Sequence, residues 1–255
     1  MKIAVTGKGG VGKTCISALL AMLYAEEGRR VIAVDADPDP SLNFYLGFPP
    51  GTEVTPIIKM KEMIAGRMGT SPGERSAYFR MNPRVDDIPE QYSLVKGNVR
   101  LLVMGTVAGA GTGCTCAENT FLRELLNHLL LDREEVVIVD LVAGVEHLGR
   151  GTAEGVDAMV VVTEPNLPGL ETSRRILKLA PGLNIPSLPL VANKVASGEE
   201  MDLIQAHFPD KKIAAWIPYS DTFRLRAGSG QDITRVDPAV LEEVIKLKQA
   251  IDKEL

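Results

Sequence analysis

A glycine-rich loop near the start of the chain constrains the fold most. An apolar run over residues 2–6 leads into the loop at residues 7–14, which reads GKGGVGKT, and an amphipathic stretch follows over residues 15–27. The loop fits the pattern G-x-x-x-x-G-K-[ST], and strand, loop and helix stand in the order that this phosphate-binding motif requires. The sequence therefore predicts an α/β fold built outward from a first strand, the loop and a first helix.

Each part of the loop suits a phosphate chain. Glycines let the backbone curl so that successive N–H groups point at an anion, and the helix N-terminus adds the positive end of its dipole. Lys13 can reach the β- and γ-phosphates, and the Thr14 hydroxyl can hold Mg²⁺. The residues that we expect to bind the nucleotide here are Gly7, Lys8, Gly9, Gly10, Val11, Gly12, Lys13, Thr14 and Cys15.

Lys8 gives the loop a second lysine. A second cation is costly here unless a large negative charge lies nearby, although a solvated loop lysine stays open from the residues alone. The loop resembles the deviant Walker A motif KGGVGKT of the family that contains MinD, ParA, the nitrogenase iron protein and the CooC-type nickel-maturation ATPases. In that family the extra lysine crosses a dimer interface to the partner's ATP. The resemblance thus implies a catalytic Lys8, beside Lys13, and a homodimer.

A second apolar run, over residues 30–34, ends in an acidic segment with Asp35, Asp37 and Asp39. Ligands of an open α/β sheet lie beyond the carboxyl ends of its strands, and carboxylates there suit Mg²⁺ and water handling. An acidic turn with two prolines is the alternative. In the resembled family this segment is switch I, and the resemblance implies that Asp37 orients the attacking water.

A third apolar run, over residues 135–139, ends at Asp140. This is the Walker B arrangement, in which a strand-terminal Asp serves Mg²⁺ together with the loop threonine. Residues 141–151, with three glycines, follow as a segment that can move with the γ-phosphate. We therefore expect Thr14 and Asp140 to be the magnesium residues of an ATP- and ADP-binding site.

The rest of the chain alternates strand and helix patterns. This alternation calls for a doubly wound, mostly parallel sheet with helices on both faces, and the resemblance specifies a MinD-like P-loop NTPase of the SIMIBI class. We expect a single ATPase domain over residues 1–255, with a less regular insert at 48–97 that could hold a helix at 53–65. The expected strands are 99–104, 158–163, 188–192 and 213–217, and the expected helices are 118–131, 170–179, 199–207 and 238–253.

Two residues near later strand ends could contact the base. An amide such as that of Asn193 can donate to and accept from an adenine edge, although a capping or turn Asn is at least as common. In the resembled family an Asn-Lys or Asn-Arg pair at this strand end contacts the adenine, and Asn193 fits that place. Pro218, expected after the next strand, matches a second base-contacting segment less specifically.

Cys114 and Cys116 lie in a glycine-rich loop at residues 105–119. Two thiolates cannot complete a four-ligand site alone, and a second copy of the pair across a two-fold axis would supply four. Such a site accepts Zn²⁺ tetrahedrally or Ni²⁺ in a square plane. A pair of exposed thiols or a redox pair is the alternative. We predict Ni²⁺ or Zn²⁺ at the dimer interface.

The segments around this loop resemble one particular group within the family. The C-x-C pair followed by Glu-Asn, the segment AGVEHLGR at 143–150 and the segment NPRVDDIPE at 82–90 resemble the CooC-type maturation ATPases. These serve nickel insertion into carbon monoxide dehydrogenase, and the related AcsF proteins serve acetyl-CoA synthase, so the resemblance implies such a client enzyme. The chain departs from the family pattern at Ala117, Val142 and Cys15.

The sequence argues against two other kinds of partner, a nucleic acid and a membrane. The net charge is −5 and there is no basic tail, which argues against a nucleic acid. No apolar run is long enough to span a bilayer, and the first residues lack a leader pattern, so we expect a cytoplasmic protein without a membrane partner. An electron donor like the iron protein needs cysteines from two loops, and a MinD/ParA-like positioning protein of the MinD type needs a basic amphipathic C-terminal helix. Neither pattern is present.

Overall fold

The computed structural model describes residues 1–72, 78–105, 116–131, 133–141, 155–223 and 237–255. Strands and helices alternate along most of these ranges. The strands are β1 Lys2–Gly7, β2 Val31–Asp35, β3 Leu94–Lys96, β4 Val99–Val103, β5 Val136–Asp140, β6 Ala158–Thr163, β7 Leu190–Val195 and β8 Ile213–Pro218. The helices are α1 Lys13–Glu26, α2 Leu42–Tyr45, α3 Lys61–Met68, α4 Ile88–Tyr92, α5 Cys116–Leu131, α6 Leu167–Leu179, α7 Gly198–His207 and α8 Pro238–Glu254.

The strands form one sheet in the order β3-β4-β2-β5-β1-β6-β7-β8. All neighbours are parallel except β3 and β4, which form an antiparallel edge pair. Strand β1 therefore lies between β5 and β6, and its carboxyl end opens at the middle of one sheet edge. The expected doubly wound, mostly parallel fold is confirmed.

Helices cover both faces of the sheet because the inner strands are apolar throughout. In β1, Ile3 and Val5 pack on one face while Ala4 packs on the other, as the two-residue period of a strand requires. Helices α1, α2 and α8 cover the first face, and α3, α5, α6 and α7 cover the second. Every residue of β1, β2, β5 and β6 is buried, so the site residues at their ends stand on a rigid support.

The insert differs from its expected form. The helix expected at 53–65 is wrong as a unit: residues 52–56 are irregular, a single 3₁₀ turn covers Ile57–Lys59, and α3 begins only at Lys61. Pro56 is the physical reason, since a proline disfavours the helical conformation in the residue before it. Further along, α4 and the short edge strand β3 complete the segment.

No helix among the described residues is long and apolar enough to cross a membrane.

Candidate functional site

The phosphate loop connects β1 to α1 at the carboxyl edge of the sheet. Gly12, the last residue before α1, has φ +98°, and a Cβ there would lie 2.3 Å from Nδ2 of Asn193. Any side chain at this position would therefore be strained and would clash. Lys13 is buried except for 7% of its surface, and its ammonium makes a long 3.5 Å contact with the Lys8 carbonyl. Lys13, the lysine that the phosphate-loop pattern requires, therefore folds back over the backbone of the loop.

Lys8 is partly buried, and the two glycines that follow it are exposed. Among the described residues, no carboxylate pairs with the Lys8 ammonium. Lys8 is therefore a cation without an ion-pair partner in the described part of the chain, next to exposed backbone. Its role toward another subunit stays a prediction.

A buried carboxylate stands beside the loop, at the end of β5. Asp140 is 2% exposed, its carboxylate is hydrogen-bonded to the side chain of Thr14, and the Ser17 hydroxyl lies 3.4 Å from its Oδ1. Burial, more than any neighbouring charge, raises the pKa of Asp140 to about 7. A buried carboxylate next to a hydroxyl fits a hard cation such as Mg²⁺, so Thr14 and Asp140 are the residues that could hold it.

Asp35 organises the acidic segment that follows β2. Its buried carboxylate accepts hydrogen bonds from three backbone N–H groups, those of Asp37 at 3.1 Å and of Ser41 and Leu42 at 2.9 Å each. Burial raises the pKa of Asp35, and these hydrogen bonds oppose the rise. Asp37 itself is only partly buried, and its Oδ1 accepts the N–H of Asp39 at 2.9 Å. The segment therefore fixes the backbone while leaving the Asp37 carboxylate at the surface of the site.

The end of β7 contacts the phosphate loop directly. The Asn193 amide donates to the Val11 carbonyl at 2.6 Å, and the Lys194 ammonium donates to the Gly10 carbonyl at 2.6 Å. Asn193 thus lies against the phosphate loop with its amide nitrogen engaged there, and its contact with the adenine stays a prediction. Pro218 is the last residue of β8 rather than a residue beyond it, and it is partly buried.

The structure describes the side chain of Cys15 but not those of Cys114 and Cys116. Cys15 is partly exposed, burial raises the pKa of its thiol to about 12, and it is hydrogen-bonded to Tyr45. Such a thiol stays protonated and is a poor metal ligand, which agrees with a packing residue beside the loop. Cys114 lies outside the described residues, and of Cys116 only the backbone position, at the start of α5, is described. The part of the chain that is described holds no group of three or more His, Cys, Asp or Glu suited to a metal.

Sequence reasoning missed three contributors to the site: Ser17, the ammonium of Lys194, and Glu164, whose carboxylate pairs with that ammonium at 3.1 Å. Ser17 is one helical turn after the loop, which is a signal that could have placed it on the Asp140 side of α1. The Asn-Lys pair at the end of β7 predicts a role for the Asn193 amide but none for the lysine. Nothing local to Glu164 marks it, because its role depends on β6 and β7 being neighbours.

Comparison with known proteins places the chain among nucleotide-binding proteins. Residues 2–233 match the family model of the CobQ/CobB/MinD/ParA nucleotide-binding domain. The chain is 41% identical over 253 residues to the carbon monoxide dehydrogenase accessory protein CooC of Rhodospirillum rubrum, covering 98% of this chain and 96% of that one. It is 40% identical to an uncharacterized ATP-binding protein of Methanocaldococcus jannaschii, covering 99% and 98% of the two chains.

Solved structures agree on the fold. The septum site-determining protein MinD of Pyrococcus horikoshii, in complex with Mg-ADP, superimposes with a TM-score of 0.68 at 20% identity, covering 99% of this chain and 96% of that one. A ParA family ATPase from Chlorobium tepidum superimposes with a TM-score of 0.70 at 19% identity, covering 97% and 98%. At these identities the similarity establishes the architecture only.

Proposed function

The chain belongs to the CobQ/CobB/MinD/ParA family of nucleotide-binding proteins and, within it, to the CooC-type ATPases, and we propose that it is a nickel metallochaperone. In this proposal it hydrolyses ATP to help mature carbon monoxide dehydrogenase or acetyl-CoA synthase. The single observation that carries the proposal is the similarity to the accessory protein CooC over nearly the full length of both chains. A C-x-C pair in the glycine-rich loop supplies the chemistry that this task needs.

ATP hydrolysis in this proposal depends on positioning and on neutralising charge, because phosphoryl transfer needs little covalent help from the protein. Lys13 neutralises the phosphates, and Mg²⁺ supplies further positive charge when bound by Thr14 and Asp140. Asp37 orients the attacking water from the segment that Asp35 holds in place. The side chains of Asn193 and Lys194 support the loop by donating hydrogen bonds to its backbone carbonyls.

The second half of each active site comes from a second copy of the chain. Lys8 reaches across the two-fold axis to the partner's ATP, so that nucleotide draws the two subunits together. The partial exposure of Lys8, beside two exposed glycines and without a described carboxylate partner, supports this step. Closure brings Cys114 and Cys116 of both subunits to the axis, where four thiolates bind Ni²⁺ as cargo; Zn²⁺ fits the same ligands. Hydrolysis then loosens the dimer and releases the metal to the client.

The C-terminal helix supports this function over membrane-linked positioning. Helix α8 packs on the core, and two of its three lysines are paired: Lys246 with Glu242 and Glu243, and Lys248 with Glu27 and Asp252. A helix that binds anionic lipid needs a basic face that is free to meet the headgroups. In α8 most of that charge is already neutralised within the protein.

Reconstitution of a client enzyme tests the proposal. Nickel-free carbon monoxide dehydrogenase is incubated with the protein, Ni²⁺ and Mg-ATP, and carbon monoxide oxidation is measured. We expect activation that requires ATP and that is lost in the double variant Cys114→Ser/Cys116→Ser, whereas Lys211→Met, at an exposed surface lysine, retains it. Equal activation by the double variant, or by Ni²⁺ alone, contradicts the proposed delivery step; the same assay with apo acetyl-CoA synthase identifies the client.

A further inference from the structure

Lys194 links three separate segments through one ammonium group. Its Nζ donates to the Gly10 carbonyl at 2.6 Å and pairs with Oε2 of Glu164 at 3.1 Å. The Glu164 side chain is 14% exposed and that of Lys194 is 41% exposed. Glu164 follows β6, Lys194 lies in β7, and Gly10 is in the phosphate loop after β1. The ammonium therefore joins the ends of two strands to the turn that surrounds the nucleotide's phosphates.

The backbone at Lys194 is unusual in a way that serves this contact. Its φ is +61°, in the left-handed region that side-chain-bearing residues seldom adopt. The pairing of β7 with β8 shifts register between Ala192 and Val195 at the same point. An irregularity of this kind re-aims a side chain at the end of a strand, and backbone strain of this kind persists where the surrounding structure enforces it. Here it directs the ammonium to the loop.

Fixing a loop carbonyl also fixes an amide. In a trans peptide the C=O and the next N–H point in opposite directions, so holding the Gly10 carbonyl sets the direction of the Val11 N–H. That N–H donates to the Lys8 carbonyl at 3.3 Å, which closes the turn, and the same carbonyl receives the long contact from Lys13. Lys194 therefore anchors the turn from which both loop lysines project.

We propose that Lys194 is a positioning residue for nucleotide binding, oriented by Glu164, which holds the phosphate loop in its binding form before the ligand arrives. A preorganised loop loses less freedom on binding, and this saving appears as affinity. The inference rests on the ATPase activity of the chain alone, so it stands or falls independently of nickel delivery. The contact is made to the protein's own backbone and not to the reacting atoms.

Nucleotide affinity and ATPase kinetics test this role in the full-length protein. We expect Lys194→Met to raise the Kd for ADP and the KM for ATP by about tenfold or more, since a hydrogen bond from a charged donor to the loop is lost. We expect kcat to stay within about threefold. The loop binds the substrate and the transition state equally well, so weakening it raises KM and leaves the barrier from the bound substrate unchanged. Lys211→Met, at an exposed lysine before β8 on the opposite sheet edge, is the matched control and retains both values.

Two further variants separate positioning from a general loss of structure. Lys194→Arg keeps the cation, and we expect it to restore ADP affinity to within about threefold of the original protein, whereas Glu164→Gln gives a loss between the two. ADP affinity that is unchanged in Lys194→Met overturns the proposal. If Lys194→Met does not fold, unchanged ADP affinity in Glu164→Gln overturns it instead. A failure of arginine to rescue, together with a lowered melting temperature of the nucleotide-free protein, also overturns it.

Discussion

Asp35 and Asp140 are paired residues at the carboxyl ends of the neighbouring parallel strands β2 and β5. Both are almost fully buried, at 1% and 2% exposure. One carboxylate is occupied by three backbone N–H groups, while the other faces the hydroxyls of Thr14 and Ser17. The two carboxylates therefore have different roles. Asp35 fixes the backbone of the segment that carries Asp37, whereas Asp140 is available to bind a cation.

In the nucleotide-free protein, Asp140 should lower the free energy of unfolding in a pH-dependent way. Burial raises the pKa of this group from 3.8 to about 7. Between these values the folded state keeps a proton that the unfolded chain has lost, so the group's contribution to stability is largest below pH 4 and falls as the pH rises through 7. We expect Asp140→Asn to exceed the original protein in free energy of unfolding by about 2 to 4 kcal/mol at pH 8, with the difference shrinking toward pH 4. Urea unfolding in EDTA measures it, and a difference independent of pH would contradict the buried-carboxylate account.

Asp37→Asn should separate nucleotide binding from hydrolysis. The substitution keeps the shape of the side chain but removes the charge that orients water, so we expect kcat to fall by roughly 100-fold while ADP affinity is retained. Single-turnover hydrolysis and ADP titration are the measurements. Asp210→Asn, at an exposed carboxyl before β8, is the control with unchanged kcat. A parallel loss of ADP affinity in Asp37→Asn would assign Asp37 to binding instead.

Lys8 and Lys13 should complement each other between subunits. We expect Lys8→Ala to bind ADP but not hydrolyse ATP, and Lys13→Ala to lose both properties. When the two inactive variants are mixed, half of the dimers are mixed dimers with one complete site of two, so about a quarter of the original ATPase activity returns. Activity that stays absent in the mixture, while mixed dimers are shown to form, would place Lys8 in its own subunit's site.

Two Arg–Asp pairs in the described part of the insert differ in burial. Arg67 makes a two-point contact with Asp87, at 2.8 and 2.7 Å, with side chains 23% and 19% exposed, whereas the Arg84–Asp86 pair is exposed. The hydrogen bond from Arg67 lowers the pKa of Asp87 to about 2. The pair therefore stabilises the folded state above pH 4, and this stabilisation is lost as the pH falls toward 2. We expect Arg67→Met to cost about 1 kcal/mol at pH 7 and Arg84→Met to have no measurable effect. Equal effects in thermal unfolding would argue against the difference in burial as the cause.

Much of this fold follows from sequence pattern. The apolar runs that end at Asp35 and Asp140 predict β2 and β5 closely, because parallel strands buried on both faces are apolar at every position. The 3.6-residue period likewise predicts α5 to within two residues of its start. The glycine loop predicts the connection between β1 and α1, since the motif depends on local backbone geometry.

The insert and the support of the loop could not be predicted in the same way. The elements β3 and α4 are three and five residues long, too short for a period to show, and tertiary pairing decides them. Asn193 was expected at the site, but its contact with Val11 and the bridge from Lys194 to Glu164 depend on strand order. Lys194 meets Glu164 because β7 lies beside β6, and both lie close to the phosphate loop because β6 also pairs with β1.

The central claim is that ATP binding closes a dimer around metal held by Cys114 and Cys116. The most direct measurement is Ni²⁺ bound per chain, with its affinity, in the presence and absence of a nonhydrolysable ATP analogue with Mg²⁺. The account predicts one Ni²⁺ per two chains, an affinity at least about fivefold higher with the analogue, and an equal gain in analogue affinity with Ni²⁺, because coupling between two sites is reciprocal. A metal affinity that is unchanged by the analogue, or that survives in Cys114→Ala/Cys116→Ala, would contradict it.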